Sequence, residues 1–354
     1  MFAFLCLLFI HLRIQLTIIY FLTHPLGRRI WCNTEGEIFV NLTIRIGSLM
    51  LKNPVAVASG TAGYGEELAR YMEIGRLGAV FTKGLSLEPR PGNRGNRIIE
   101  TPAGVLNSIG LENVGLERFV NEKLPFLREK GATVIPNIAG HSIEENITLC
   151  RELSAAEGVA ALELNVSCPN VKEGGMAFGT DMAVFTRLLE KCRPACAVPL
   201  IVKLSPNVTD IASFAVRAEA CGADAVSAVN TFLGMKIDVS GRRPHFDNLF
   251  AGLSGPAIRP LAVRAVYQIC SAVRIPVIGI GGIASLMDAL EFIMAGASAI
   301  AVGTMNMVEP ASAASILDDL EEYLNAEGID DIQEIIGCAR HDRNTRVPQG
   351  CSGV

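Results

Sequence analysis

Leu162-Glu-Leu-Asn-Val-Ser-Cys-Pro-Asn170 is the stretch from which the fold can be read. Leu162, Leu164 and Val166 alternate with Glu163, Asn165 and Ser167, the period of a strand whose side chains point to opposite faces. Pro169 stops the ladder, because it has no N–H to donate and a fixed φ. The chain thus delivers a thiol, Cys168, to the C-terminal end of a strand, with the amides of Asn165 and Asn170 beside it. Two amides offer donors and acceptors to a planar polar ligand, and a thiol serves as base or nucleophile. Taken alone, a cysteine is ordinarily a small buried hydrophobe. Its company elsewhere in the chain has to argue otherwise.

The same rhythm runs from Asn53 onward: a short apolar run, a polar or glycine-rich turn, then an amphipathic helical stretch. The expected strands are Val55–Gly60, Ala79–Gly84, Val134–Gly140, Ala161–Pro169, Leu200–Pro206, Ala225–Thr231, Pro276–Gly282 and Ala299–Thr304. Between them, Ser142–Gly158, Asp181–Ala195, Thr209–Gly222, Ile258–Val273 and Ser285–Gly296 have helical periodicity, several opening on a residue suited to N-capping. Strands alternating with helices imply a parallel sheet with crossovers. Eight such units over about 250 residues predict an α/β fold of the closed (β/α)8 TIM-barrel kind. An open doubly wound sheet is disfavoured, because no glycine-rich dinucleotide fingerprint follows the first strand. Leu42-Thr-Ile-Arg-Ile-Gly-Ser-Leu-Met-Leu-Lys52, with two alternating runs around Gly47-Ser48, predicts an N-terminal β-hairpin capping the barrel.

In a barrel of this kind the βα-loops at the C-terminal ends of the strands build the functional face. Those ends read Ser59-Gly60, Lys83-Gly84, Asn137, Asn165 with Cys168 and Asn170, Lys203, Asn230-Thr231, Gly281-Gly282 and Gly303-Thr304. A single lysine or asparagine there would be a solvated end or a turn residue. Two lysines and several amides at one mouth would be costly to desolvate without a polar, partly anionic ligand. Gly279-Ile-Gly-Gly282 and Gly303-Thr304, after strands seven and eight, suit the common barrel phosphate site made by backbone N–H groups, to which Ser254-Gly255 could add. A phosphate site plus a lysine aimed at the barrel axis suggests FMN.

The 354 residues are half hydrophobic, with a formal net charge of −5 and a single Trp. That balance, without a Lys/Arg-rich run, argues against a nucleic-acid partner. Ten cysteines without paired CxxC spacing indicate neither a zinc site nor a disulfide framework, and point to the cytoplasm. Cys192 and Cys196 read as ordinary reduced thiols. Residues 1–39 form an apolar leader broken by His11 and Arg13, a poor membrane span and a poor signal peptide. The expectation is that this leader lies outside the native domain through a mis-assigned start, with a membrane anchor as the alternative. Glu35-Gly36-Glu37 is compatible with a purine-rich ribosome-binding site, and Val40 with a GUG start. Residues 40–340 would then be the barrel domain and residues 341–354 a polar tail.

Several stretches resemble one family closely. Asn53-Pro-Val-Ala-Val-Ala-Ser-Gly-Thr61, Thr82-Lys-Gly84 with Glu88-Pro-Arg90, Asn107-Ser-Ile-Gly-Leu111, Glu163–Asn170, Val202-Lys-Leu-Ser-Pro-Asn207 and Val229-Asn-Thr231 are similar to class 1 dihydroorotate dehydrogenases. Asn170-Val-Lys-Glu-Gly-Gly-Met-Ala-Phe-Gly179 and Gly252-Leu-Ser-Gly-Pro-Ala-Ile-Arg-Pro260 resemble the catalytic subunit of the NAD-linked subclass, 1B. The resemblance spans residues 42–340. It implies oxidation of dihydroorotate to orotate in pyrimidine biosynthesis, with FMN in this chain. It also implies a partner subunit carrying FAD and a 2Fe–2S cluster, in a heterotetramer built on a homodimer of catalytic chains. No cysteine pattern here could ligate that cluster.

By resemblance, Cys168 is the base that removes a C5 proton while hydride leaves C6 for the flavin. The membrane-bound class 2 uses serine at that step, so Cys168 argues for class 1 and against reading the leader as a membrane-docking extension. Lys83 and Asn107, with the backbone of Ile109, Gly110 and Leu111, are expected to hold the substrate carboxylate. Asn165, Asn170, Asn230 and Thr231 would bond the pyrimidine edge. Ser59, Gly60, Lys83, Gly84, Asn137, Asn165, Lys203, Val229, Gly255, Gly281, Gly282, Gly303 and Thr304 would hold FMN, with Lys203 facing its N1/O2 region. Met176–Thr180 would belong to a loop covering the site, hinged at Gly174-Gly175. The enzymatic alternative is the fumarate-linked class 1A. A non-redox alternative is a phosphate-binding barrel of the isomerase or aldolase type.

Overall fold

The computed structural model describes residues 40–166 and 178–340. The leader, Cys168, Asn170, the Gly174-Gly175 hinge, Met176 and the polar tail lie outside the described residues. The chain divides into two units, 1–39 and 40–354, and everything below concerns the second.

The hairpin forms where expected. Strands β1 (Ile44–Ile46) and β2 (Leu49–Leu51) pair antiparallel, Ile44 opposite Leu51, and Gly47 supplies the positive φ of the turn. Ile44, Ile46 and Leu51 are buried, while Arg45 and Met50 point out. A Cβ on Gly47 would stand 2.7 Å from Asp224 Oδ1, immediately before a barrel strand. The hairpin therefore lies against the N-terminal end of the barrel, opposite the mouth.

Barrel strands β3 (Val55–Val57) and β4 (Ala79–Phe81) are followed by an excursion containing β5 (Ile98–Thr101) and β6 (Gly104–Asn107). The wall continues with β7 (Val134–Ile135), β8 (Asn137–Ile138), β9 (Leu162–Asn165), β10 (Leu200–Lys203) and β11 (Ala225–Ala228). A second excursion carries β12 (Phe232–Gly234), β13 (Ile237–Asp238), β14 (Arg243–Pro244) and β15 (Ala251–Ser254). β16 (Val277–Ile280) and β17 (Ala299–Val302) complete the wall. The parallel sheet runs β7-β4-β3-β17-β16-β11-β10-β9-β8. Its two ends, β7 and β8, are halves of one expected strand divided at Pro136, which cannot donate to a ladder. Nine ladder segments thus close as eight barrel strands. The strand residues are buried on both faces almost throughout, the pattern of parallel sheets covered by helices.

The helices follow their predicted caps. Ile143–Ala155 starts at Ser142, whose hydroxyl accepts from Glu145 N. Met182–Cys192 starts at Asp181, and Leu286–Ala295 at Ser285. The third helix, Ile211–Ala220, is capped by Asp210 and not by Thr209, because the aspartate carboxylate accepts from both Ala212 N and Ser213 N. Between the first two, Cys150, Cys192 and Cys196 are buried. A hydrogen bond with Cys192 pushes the Cys150 thiol up from its ordinary value, and one with Cys150 does the same to Cys196, each reinforced by burial. All three pack within the core. No described helix is long and apolar enough to cross a membrane.

The excursions between barrel strands carry a sheet that the sequence did not announce. They meet as a four-stranded antiparallel sheet, β12-β15-β6-β5, with Gly252 opposite Asn107 and Phe232 opposite Leu253. Its small apolar layer, Leu106, Phe246 and Ala251, is separate from the main core. This sheet carries Asn107 to the barrel mouth.

Candidate active site

Parallel register sets the polar side chains of the barrel interior. Asn165 lies opposite Lys203, Lys203 opposite Ser227, and Asn137 opposite Glu163. Four neighbouring strands thus converge on one carboxylate. Glu163 is fully buried and accepts from Asn137 Nδ2 at 2.5 Å and from Ser227 Oγ at 2.6 Å. Lys203 Nζ is 3.7 Å from Glu163 Oε2 and donates to Ser59 Oγ at 2.8 Å. Removing one partner of such a buried pair typically costs about 3–5 kcal/mol, because the other charge is left uncompensated. Gly84 stands over this group: a Cβ there would approach Asn137 Oδ1 at 3.0 Å, with Leu111 Cδ2 at 3.9 Å.

The amides line the next level. Asn230 Nδ2 donates to Asn165 Oδ1 at 3.3 Å, and Thr231 N donates to Asn230 Oδ1 at 2.8 Å. Asn107 Nδ2 donates to the Gly252 carbonyl at 3.2 Å, and a Cβ on Gly252 would meet Thr231 Oγ1 at 2.3 Å. Asn107, Thr231, Asn230 and Asn165 are therefore linked across the antiparallel sheet and the barrel. Gly110 and Leu111 are successive residues with φ of 76° and 55°, the latter rare for a residue with a side chain. Two successive positive φ values turn the backbone sharply just after Asn107 and Ser108.

Lys83 does not meet Asn107 directly. Its Nζ donates to Glu112 Oε2 at 3.2 Å, and Arg97 reaches the same oxygen at 3.2 Å. The hydrogen bond from Lys83, with its positive charge, holds the Glu112 carboxyl below the usual carboxylate range. Glu112 and Arg97 escape a reading of the sequence, as does the interior role of Glu163 and Ser227. Glu163 had a signal: it shares a strand face with Asn165, so one placed inside the barrel implies the other.

The glycines form a separate cradle. Gly255, Gly281 and Gly282 have φ of 90°, 135° and 77°, and Ser254 Oγ and Thr304 Oγ1 are 2.9 Å apart. A Cβ on Gly282 would meet Gly255 O at 2.9 Å and Arg259 N at 3.0 Å, and one on Gly281 would come within 3.4 Å of Val229 Cγ2. Beside Gly60 and Gly303, by contrast, there is room: a Cβ on the former would have no atom within 4 Å, and one on the latter only Ala58 Cβ at 3.8 Å. A tight turn rimmed by hydroxyls and open glycines fits a phosphate held by backbone N–H groups. Arg259 supplies no free charge to it, being paired with Asp288 and Glu291.

All the expected site residues except Cys168 and Asn170 lie among the described residues, and they fall at one end of the barrel. β9 leads toward Cys168, and the chain is described as far as Val166.

A family model described as dihydroorotate dehydrogenase matches residues 41–324. Among similar proteins, a dihydroorotate dehydrogenase B (NAD(+)) catalytic subunit from Trichlorobacter lovleyi is 53% identical over 296 residues, covering 84% of this chain and 97% of the relative. Proteins of the same description from Desulforudis audaxviator and Desulforamulus reducens are 52% and 50% identical over 300 residues, covering 85% of this chain and 98% and 99% of themselves.

Proposed function

This chain belongs to the dihydroorotate dehydrogenase family, and from that premise we propose that its barrel mouth binds FMN and dihydroorotate and oxidises the latter to orotate for pyrimidine biosynthesis. The NAD-linked subclass is the branch concerned, and the fumarate-linked alternative is set aside, since these relatives are NAD(+)-type catalytic subunits. The observation that carries the site assignment is the convergence of Ser59, Asn137, Asn165, Lys203, Asn230 and Thr231 at one mouth, beside a glycine cradle.

FMN held at this mouth would supply the hydride acceptor for the substrate. The chain's own residues do the rest. Gly255, Gly281, Gly282, Gly303 and Thr304 hold the phosphate. Lys203, fixed by Ser59 and Glu163, presents positive charge where the reduced flavin is anionic. Lys83, Asn107 and the Ile109–Leu111 backbone take the substrate carboxylate, and Asn165, Asn170, Asn230 and Thr231 the ring amides. Cys168 removes the C5 proton. A partner subunit with FAD and a 2Fe–2S cluster passes the electrons to NAD+, in a cytoplasmic heterotetramer. The barrel domain covers residues 40–340, with the leader outside it.

Two substitutions test the binding groups. Gly282→Ala places a Cβ against two backbone atoms and forces a left-handed φ on alanine, a conformation costing about 1–2 kcal/mol by itself. Flavin retention should fall roughly tenfold or more, measured as the dissociation constant of FMN; unchanged retention would remove the cradle assignment.

The second concerns Glu112, whose carboxylate occupies the lysine that the substrate needs. Glu112→Gln frees Lys83 and should tighten orotate binding, by no more than about fivefold, because a half-exposed pair is worth only about 0.2–1 kcal/mol. The sign of the pH dependence follows from the lowered carboxyl. The Lys83–Glu112 pair persists at neutral pH and is lost as pH falls through that depressed value, below the usual carboxylate range. The advantage of Glu112→Gln should vanish there, as orotate titrations at two pH values would reveal. Weaker binding in the variant would mean that Glu112 helps to hold the substrate.

A further inference from the structure

Glu163 has no place in the carboxylate, amide or phosphate contacts assigned above, yet among the described residues it is the most enclosed acid of the mouth. It has no exposed surface, and it is bonded from β8 by Asn137, from β11 by Ser227 and paired from β10 with Lys203. Barrel interiors are ordinarily filled by branched apolar side chains. Burying an ammonium and a carboxylate together is usually no more stabilising than packing apolar residues of the same volume. Stability alone therefore does not account for the pair.

We propose that Glu163 is a positioning residue and counter-charge for Lys203, and that it thereby sets how strongly the chain favours the reduced over the oxidised flavin. This rests on the flavin-binding reading of the barrel mouth. Lys203 Nζ is held from two sides, by Ser59 Oγ at 2.8 Å and by Glu163 at 3.7 Å, so a flexible side chain is fixed in one place. Together the two charges act on their surroundings as a dipole. A lone ammonium would exert the longer-ranged field of a single charge and would stabilise an anionic reduced flavin more. Glu163 thus restrains the electron affinity that Lys203 provides, leaving the flavin able to pass its electrons on.

Glu163→Gln separates charge from hydrogen bonding. The amide oxygen can accept from Asn137, and the amide nitrogen can donate to Ser227, whose hydroxyl both donates and accepts. The full chain loaded with FMN is titrated with sulfite, an anion that adds reversibly to oxidised flavin and reports nearby positive charge. The midpoint potential is measured on the same samples. Glu163→Gln should bind sulfite at least roughly tenfold more tightly and raise the potential by about 30 mV, the equivalent of tenfold for a two-electron couple. Ser227→Ala, which loses a hydrogen bond and no charge, should leave both near the parent values. A flavin-loaded Glu163→Gln variant with parental sulfite affinity and potential would overturn the proposal alone. An unsubstituted chain that carries no flavin would overturn the flavin reading and the proposal with it. If Glu163→Gln fails to retain flavin, the double variant Glu163→Gln/Lys203→Met, free of both charges, decides. Restored flavin binding with sulfite affinity below the parent supports the charge pairing, and continued failure refutes it.

Discussion

Replacing Cys168 with alanine should slow reduction of the bound flavin by dihydroorotate at least ~100-fold, while FMN and orotate still bind. The expectation starts from the strand. β9 ends at Asn165, whose side chain accepts from Asn230, and Cys168 follows three residues later. The chemistry demands a group that takes a proton from carbon as hydride departs. A thiol, with a reference pKa near 8.5, is within reach of that task at physiological pH. The contrast lies within the same chain. Cys150 and Cys196 are locked among one another and pushed well above the ordinary thiol range, so neither could substitute. Alanine removes the base and leaves Lys83, Asn107, Asn230 and Thr231 untouched, so binding and proton removal should separate cleanly. Cys168→Ser should recover turnover only at higher pH, since a hydroxyl is a far weaker acid than a thiol. Single-turnover stopped-flow at neutral pH measures this directly. A Cys168→Ala variant that reduces its flavin at near-parental rate would move the base elsewhere.

The second large effect concerns where the electrons go. The purified chain alone should pass electrons from dihydroorotate to an artificial dye at a substantial rate and to NAD+ at background. Gly281-Gly282 and Gly303-Thr304 follow β16 and β17, strands seven and eight of the barrel, where barrels commonly hold a phosphate. The first barrel strand, β3, leads into no dinucleotide fingerprint, and the sequence has no cysteine spacing for an iron–sulfur cluster. Adding the partner subunit should switch NAD+ reduction on. Efficient NAD+ turnover by the single chain would remove the need for a partner, and efficient fumarate reduction would reassign the branch.

Much of the barrel is legible in the sequence because parallel strands buried on both faces are nearly continuous apolar runs. Val55–Val57, Ala79–Phe81 and Ala299–Val302 can be read by composition alone. The helix starts are legible for a local reason, since Ser142, Asp181 and Ser285 each bond an N–H within their own first turn. The antiparallel sheet is not, because its partners are far apart in the chain. Gly252 and Asn107 are paired across 145 residues, and neither Gly104–Asn107 nor Ala251–Ser254 alternates strongly enough to signal a strand. The division of the third strand at Pro136 was foreseeable from proline's missing donor, whereas the use of the division to close the barrel depends on its neighbours on either side.

The site divides along the same line. Strand-end polar residues reveal themselves by position: Ser59, Asn137, Asn165, Lys203 and Asn230 all lie where the barrel rule puts them. Relations among side chains do not. That Lys83 is engaged by Glu112, and Lys203 by Glu163, depends on distances across strands and loops that no spacing encodes. Glu163 is the instructive case. It is two residues from Asn165 on the same strand face and still reads as ordinary until three other strands are placed around it.

The measurement that bears most directly on the assignment is an anaerobic titration of the purified chain with dihydroorotate, following flavin absorbance and orotate together. The proposed function predicts that the chain purifies with FMN and that dihydroorotate bleaches it, one orotate forming for each flavin reduced. A chain that carries no flavin, or a bound flavin that dihydroorotate leaves oxidised, would contradict it.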